Sequence, residues 1–372
     1  MTDPLPFHHQ LLQHARAAGF DLAGIVPVPL TPGAQREGYF EQWIEAGHAG
    51  EMEYLKRRDR DQQLLRSSLE TAFPWARSIV VCAANYNADA PKSVDAAPEG
   101  AGWIARYAWS GKVDADGNTV VATDYHDVLL TRLRGLETAL KNWLGPIETR
   151  SYVDTGPIVE RAYAQAAGIG WTGKNTCVIN QQLGSWLFLG VIVTSFEIRP
   201  EESLATLAPD RCGTCRRCID ACPTDALIAP YEMDASRCIA YLTIEKRGPI
   251  PEALRPGMGR QVFGCDICQD VCPWNRRAPV SSDRELAARP ELVNPELSWL
   301  AELDPHSFNQ LFKGSPVKRA KISGMRRNVA IAMGNSKRPE YLWKLEEWAQ
   351  AEDDAVRDAA VWARDQILSA KQ

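Results

Sequence analysis

The stretch CGTCRRCIDACP at residues 212–223, answered by CDICQDVCP at 265–273, decides how this chain is read. Eight of its ten cysteines lie between Cys212 and Cys272, with Cys238 standing between the two runs. A C-x2-C-x2-C-x3-C-P run is the bacterial spacing for paired [4Fe–4S] clusters, in which the fourth cysteine of a run ligates the other run's cluster. That rule gives one set of Cys212, Cys215, Cys218 and Cys272. The second set is Cys222, Cys238, Cys265 and Cys268, with Cys238 replacing the first cysteine that the second run lacks. Structural zinc prefers paired C-x2-C spacing, which a triple C-x2-C-x2-C followed by x3-C-P suits poorly. A disulfide framework belongs to small secreted chains, and this one has 372 residues. The radical-SAM spacing C-x3-C-x2-C is absent, so the clusters are read as electron conduits. Cys82 and Cys177 are expected as buried small hydrophobes.

The formal charge of −5 is modest, so a nucleic-acid contact would have to come from a local patch. The first residues, MTDPLPFHHQLLQHARAAGF, show no basic n-region, apolar h-region or twin-arginine pair. The longest apolar stretch, around Trp186–Val193, is too short to span a bilayer. A cytoplasmic protein without a membrane partner is the expectation, and a reducing compartment suits ligands that must remain thiolates.

The organisation expected is α+β in three parts: residues 1–205, a cluster module at 206–279 and a helical part at 280–372. In the first, His9–Ala18 reads as helix and the apolar run Ser78–Ala84 as a buried strand. The period of Leu129, Leu133, Leu136, Leu140 and Trp143 makes His126–Leu144 an amphipathic helix. Ser151–Asp154 reads as a strand end, Ile158–Ala167 as helix and Gly184–Ser195 as another buried strand. Ser110–Thr123 is polar and glycine-containing, a loop or hairpin insertion. After a linker at Pro279–Pro305 the chain turns helical. Arg326–Met333 and Asp353–Leu368 carry apolar stripes, the latter capped by Asp353 or Asp354 and the former broken by Asn335 or Pro339. Short paired helices of this kind resemble HEAT repeats, here a small docking cap.

Positive charge gathers between Lys313 and Arg338 without an acidic residue among it. Such asymmetry in a net-acidic chain suggests a phosphate-backbone contact, with Lys318, Arg319, Lys321, Arg326 and Arg327 as candidates. The chemically suggestive segment upstream is YVDTGP (152–157), followed by Glu160-Arg161 and GWTGKN (170–175). A carboxylate at a strand end beside glycine turns is a common place for a catalytic acid. Burial would raise the pKa of Asp154 and let it deliver a proton near neutral pH. On the residues alone, an Asp before Thr-Gly-Pro reads more readily as a turn residue.

VDTGP at 153–157, GWTGK at 170–174, the cysteine array and CIAYLT at 238–243 together resemble the epoxyqueuosine reductase family. So do GEM at 50–52 with Tyr54-Leu55, RYA at 106–108, DYH at 124–126 and CPWN at 272–275. The resemblance extends from about residue 45 to 335 and implies a cobalamin-dependent iron–sulfur enzyme. Its fold would be a reductive-dehalogenase-like cobalamin-binding α/β domain, a two-cluster ferredoxin-like domain and a HEAT-like helical part contacting tRNA. Its reaction would turn epoxyqueuosine, at the wobble position of tRNA, into queuosine, with Asp154 as proton donor. Arg57 and Arg106 match corrin contacts by position, Val178 and Leu189 would offer backbone groups, and Cys265-Asp266-Ile267-Cys268 would lie against the corrin. The cobalt-ligand motif D-x-H-x-x-G is missing after Asp124-Tyr125-His126, so the resemblance implies cobalamin without a protein histidine on cobalt. The Ser110–Thr123 insertion is a departure from the family pattern.

Two rival readings remain at this point. A reductive dehalogenase of small organohalides shares the cofactors, but those enzymes are exported with a twin-arginine signal and have no use for a basic C-terminal segment. A ferredoxin-like electron carrier leaves the N-terminal two hundred or so residues unexplained. The reductase reading also calls for a low-potential electron donor, and a monomer is expected.

Overall fold

The computed structural model describes residues 6–30, 38–117, 119–199 and 207–370. The chain forms two compact units, each assembled from separate stretches. Met1–Asn87, Tyr125–Arg216 and Pro273–Val280 make the first, and Ala88–Asp124, Arg217–Cys272 and Ser281–Gln372 the second. These units cut across the division by chemistry at 205/206 and 279/280, and the first of those boundaries lies outside the described residues.

The first unit is built on a four-stranded antiparallel sheet in the order Leu22–Pro27, Ser78–Asn85, Leu187–Thr194, Thr149–Tyr152. SIVVCAAN at 78–85 is buried at every position, which is why Ile79–Ala84 is continuously apolar rather than alternating. On one face Ile79, Val81, Ala83, Val191 and Val193 pack with Ile158, Tyr163, Ala164 and Ala167, carried by helix Glu160–Ala166 and its flanks. On the other face helix Tyr125–Leu144 buries Leu129, Leu133, Leu136 and Leu140. Gly190 sits beneath that helix, and a Cβ there would lie 3.0 Å from the Leu133 side chain. Helix Phe7–Ala17 opens the unit. The strands and helices expected in this region therefore form close to their expected limits. Cys82 is fully buried in the sheet, whereas Cys177 is only half-buried.

In the second unit the Ser110–Thr123 insertion is a hairpin, Ser110–Val113 against Val120–Ala122, with Ala287–Ala288 added antiparallel to its first strand. The stretch read as a linker is ordered structure instead. Leu286, Leu292, Leu297 and Leu300 are buried, and Leu297–Glu302 is a helix. Its apolar residues are spaced among prolines and charges without a single period, so the burial has no local signature. The long helix Lys321–Ser336 is the unit's centre, with Val329–Gly334 buried without a break. It lies on helix Asp354–Ser369 so closely that a Cβ on Gly334 would come within 2.7 Å of the Ala363 Cα. Asp353 caps the latter helix, accepting from the backbone of Ala355 and Val356 at 3.0 and 3.1 Å. The former helix ends at Ser336, with Lys337 left-handed at φ 56° ahead of Pro339. Among the described residues no helix is long and apolar enough to cross a membrane.

Gly24 tests the first unit's packing, because a Cβ there would lie 2.2 Å from the Ala167 carbonyl oxygen. Gly24→Ala should lower stability by about 1–3 kcal/mol, read as a fall in melting temperature. Gly135→Ala, in a helix with nothing within 4 Å, should leave it level or raise it. Equal melting of Gly24→Ala and parent would contradict this packing.

Candidate active site and cluster ligands

Asp154 follows the end of the strand Thr149–Tyr152. It sits left-handed, at φ 56°, at the centre of a tight turn in which the Thr155 N–H reaches the Val153 carbonyl at 2.6 Å. Aspartate tolerates this region better than most residues, and strained turns of this kind concentrate at functional sites. Tyr125, the first residue of the long helix, donates its hydroxyl to Asp154 Oδ2. His126 brings Nε2 to 3.7 Å from the same oxygen. The Tyr125 ring stacks on Phe188 with centroids 4.1 Å apart, and Phe188 stacks in turn on Tyr86 at 4.2 Å. Thr149–Tyr152 pairs with Val191–Thr194, so among the described residues Leu187–Gly190 has a strand partner on one side alone. An aromatic wall and an open strand edge thus adjoin the Asp154 carboxyl.

Burial of Asp154 was expected, yet its side chain is 55% exposed. The buried carboxyl is Glu160, at the first turn of the next helix, 9% exposed with no hydrogen-bond partner for Oε1. Burial, and then the negative charge of Asp154, push its pKa up to about 7. Its own backbone N–H and the cations Arg66 and Arg161 oppose the rise. Their guanidinium groups are engaged with the carbonyls of Ile158 and Thr176 at 2.8 and 2.9 Å. Neither Glu160 nor Tyr125 carries a role legible in its motif. A Glu-Arg pair opening a helix looks like a solvated first turn, and its burial depends on the sheet behind it.

In the second unit Cys222, Cys238 and Cys265 come together. Burial, with the nearby Cys238 and then Asp266 and Cys222, pushes the Cys265 thiol well above its ordinary range. Four-residue helices at Arg217–Asp220 and Ile267–Asp270 carry Cys218 and Cys268. Among the described residues no three Cys, His, Asp or Glu side chains converge as ligands of a single metal ion would. Asp266 is buried, accepting from Trp103 Nε1 at 3.0 Å and the Arg106 N–H at 2.7 Å. Asp270 accepts from the Ser93 hydroxyl at 2.6 Å.

The remaining candidates are dispersed. Arg106 is 4% exposed and donates to the carbonyls of Ala88 and Pro91, which fixes the loop ahead of it. Arg57 is exposed. Val178 is buried and Leu189 half-buried in the first unit, and Ile267 opens a short helix in the second. Lys318, Arg319 and Lys321 are exposed, but Arg319 forms a two-pronged pair with Glu245 at 2.5 and 3.0 Å. Arg326 is half-buried and reaches the Leu303 carbonyl at 3.3 Å. Arg327 corrects the expectation of a surface charge. It is 2% exposed, and its guanidinium is committed to the carbonyls of Leu242, Lys246 and Gly248 at 2.7, 2.8 and 2.9 Å.

Glu160 carries a pH signature. Its folded pKa lies above the ordinary 4.5, so the folded state keeps a proton that the unfolded chain has released. The associated stability is complete below about 4.5 and is lost as pH rises through about 7, roughly 3 kcal/mol in all. Glu160→Gln should flatten the fall in melting temperature between those limits and melt above parent at pH 8. An unchanged profile would exclude Glu160 as its source.

Comparison with known proteins places this geometry. Residues 66–155 match the family model described as epoxyqueuosine reductase QueG, DUF1730, and residues 211–275 match the 4Fe-4S double cluster binding domain. The epoxyqueuosine reductase of Xanthomonas campestris pv. campestris is 35% identical over 97% of this chain and 96% of its own. That of Synechocystis sp. is 38% identical over 82% of this chain and 98% of its own. A crystal structure of epoxyqueuosine reductase with an epoxyqueuosine-modified tRNA-Tyr stem loop is 28% identical. It superposes with a TM-score of 0.82 over 96% of this chain and 89% of that one. A structure of the enzyme from Bacillus subtilis, with its Asp catalytic loop swung out of the active site, gives 0.80 at 28% identity, covering 96% of this chain and 90% of that one. With a 4Fe-4S double cluster segment and relatives of this identity along nearly its whole length, the chain belongs to the epoxyqueuosine reductases, a family of oxidoreductases.

Proposed function

We propose that this protein reduces epoxyqueuosine to queuosine at the wobble position of tRNA, the last step of queuosine formation, with Asp154 as proton donor. The reaction takes in two electrons and two protons. Both C–O bonds of the epoxide break, a C=C bond forms, and the oxygen leaves as water. No side chain supplies electrons at the potential required, and cobalamin fed through two [4Fe–4S] clusters supplies that chemistry when bound. The clusters are assigned to Cys212, Cys215, Cys218 and Cys272, and to Cys222, Cys238, Cys265 and Cys268. By function the chain divides into a cobalamin part at 1–205, a cluster part at 206–279 and a HEAT-like docking part at 280–372.

The observation that carries this reading is the Asp154 carboxyl, held out on a constrained turn by the Tyr125 hydroxyl. Its exposure suits a substrate that arrives on a macromolecule. The Tyr86–Phe188–Tyr125 wall offers a flat apolar surface for a large conjugated ring, and the open edge at Leu187–Gly190 offers backbone polar groups. These features fit a corrin, with Arg57, Val178 and Leu189 as contacts. Arg106 and Asp266 have their side chains committed within the second unit, and the family resemblance alone assigns them to the corrin. The Bacillus subtilis relative's Asp catalytic loop supports a loop aspartate as the acid, and the stem-loop complex supports an RNA-borne substrate.

For that RNA the basic surface rests on Lys318 and Lys321, with Arg319 and Arg326 already engaged by Glu245 and Leu303. Arg327 has no part in it. The reading includes a low-potential electron donor and a monomeric, cytoplasmic enzyme. Asp154→Asn should abolish turnover while iron, sulfide and cobalamin content stay at parent levels, and full activity would remove its acid role. Lys318→Gln with Lys321→Gln should weaken tRNA binding and reduce the slope of log affinity against log salt by about 1–2. An unchanged slope would take the contact away from this surface.

A further inference from the structure

We propose that the turn carrying Trp171 and Lys174 sets the reduction potential of the cluster assigned to Cys212, Cys215, Cys218 and Cys272. The inference rests on that cluster assignment. Trp171–Thr172 pairs with Val178–Ile179, and the turn between them closes through Gly173 N–H to the Cys177 carbonyl at 2.8 Å. Lys174 sits in this turn, where a lysine would ordinarily extend into water. Instead it is 9% exposed. Its ammonium donates to the carbonyl oxygens of Gly213 and Cys215, at 2.5 and 3.0 Å. Both partners are neutral and belong to the first cysteine run, so a buried positive charge is pinned at the backbone that would wrap the cluster.

Trp171 adds a second observation. It is 2% exposed, packed edge-on against Trp274 at 5.0 Å, and its Nε1–H meets no oxygen or nitrogen acceptor. A buried indole N–H without an acceptor is costly. The acceptor beside it is the Cys212 sulfur, which also faces the Lys174 backbone N–H. Hydrogen bonds to ligand sulfur and local net charge are among the quantities that set a cluster's potential. Reduction adds one electron, with no bond made or broken, so a nearby cation and sulfur-directed N–H groups favour the reduced form and raise the potential. This is a role that the side chains of GWTGK can perform.

The test is a dithionite titration of the anaerobically reconstituted full chain, followed by electron paramagnetic resonance, with Cys212→Ser marking which signal belongs to the first cluster. Lys174→Met should make that cluster about tenfold harder to reduce, a fall of about 59 mV, and leave the other cluster unmoved. Trp171→Phe should shift it in the same direction by less, and Lys174→Arg should stay near parent. Unmoved midpoints, or equal shifts in both clusters, would overturn the inference. Where Lys174→Met fails to hold the first cluster, Trp171→Phe and Lys174→Arg decide by the same readout. A parent chain that binds only one cluster would overturn the cluster assignment instead, an outcome visible before any variant is made.

Discussion

Arg327 and Asn328 hold the cysteine-bearing segment of the second unit in place. From one turn of a buried helix, Arg327 donates to the carbonyls of Leu242, Lys246 and Gly248. Asn328 donates to those of Thr243 and Val262, both at 2.9 Å, and accepts from the guanidinium at 2.9 Å. The segment needs such support because Arg217–Cys272 contains only short helices and a three-residue strand. Most of its backbone polar groups have no regular ladder, and buried ones must find partners elsewhere. Thr243 extends the tie, accepting from the Gly264 N–H at 2.9 Å, immediately before Cys265. Cys238 and Cys265 are therefore positioned by a helix distant in sequence from both.

The first unit solves a different problem, that of presenting a carboxyl without burying it. A sheet covered on both faces provides a rigid strand end, and Asp154 stands just beyond it on a strained turn. Tyr125 fixes the carboxyl from the neighbouring helix, and Phe188 fixes Tyr125 by stacking. Glu160 lies behind them as a carboxyl that burial and Asp154 keep protonated up to about pH 7. One carboxyl is thus exposed, and a second is retained in the wall.

The sequence spells out the double-cluster cysteine runs, the buried strand at 78–85 and the leucine period of the long helix, because each depends on local spacing or composition. It conceals what depends on tertiary placement. Arg327 sits in a run of positive charge that reads as surface, and only the packing of Lys321–Ser336 reveals it as a buried anchor. The apparent linker at 279–305 is pinned by leucines that follow no period. Asp154 was found through its motif, but its exposure was misjudged, since an Asp before Thr-Gly-Pro reads alike whether buried or not. Lys174 likewise reads as a solvated turn residue until its carbonyl partners are seen.

The proposed function requires this chain to carry electrons to an epoxide on tRNA. The direct measurement is anaerobic reconstitution of the full chain with iron, sulfide and cobalamin, followed by reaction with epoxyqueuosine-containing tRNA and a strong reductant. Nucleoside analysis should show queuosine replacing epoxyqueuosine, with conversion lost when cobalamin is left out. Epoxyqueuosine unchanged by the fully loaded protein would contradict the account.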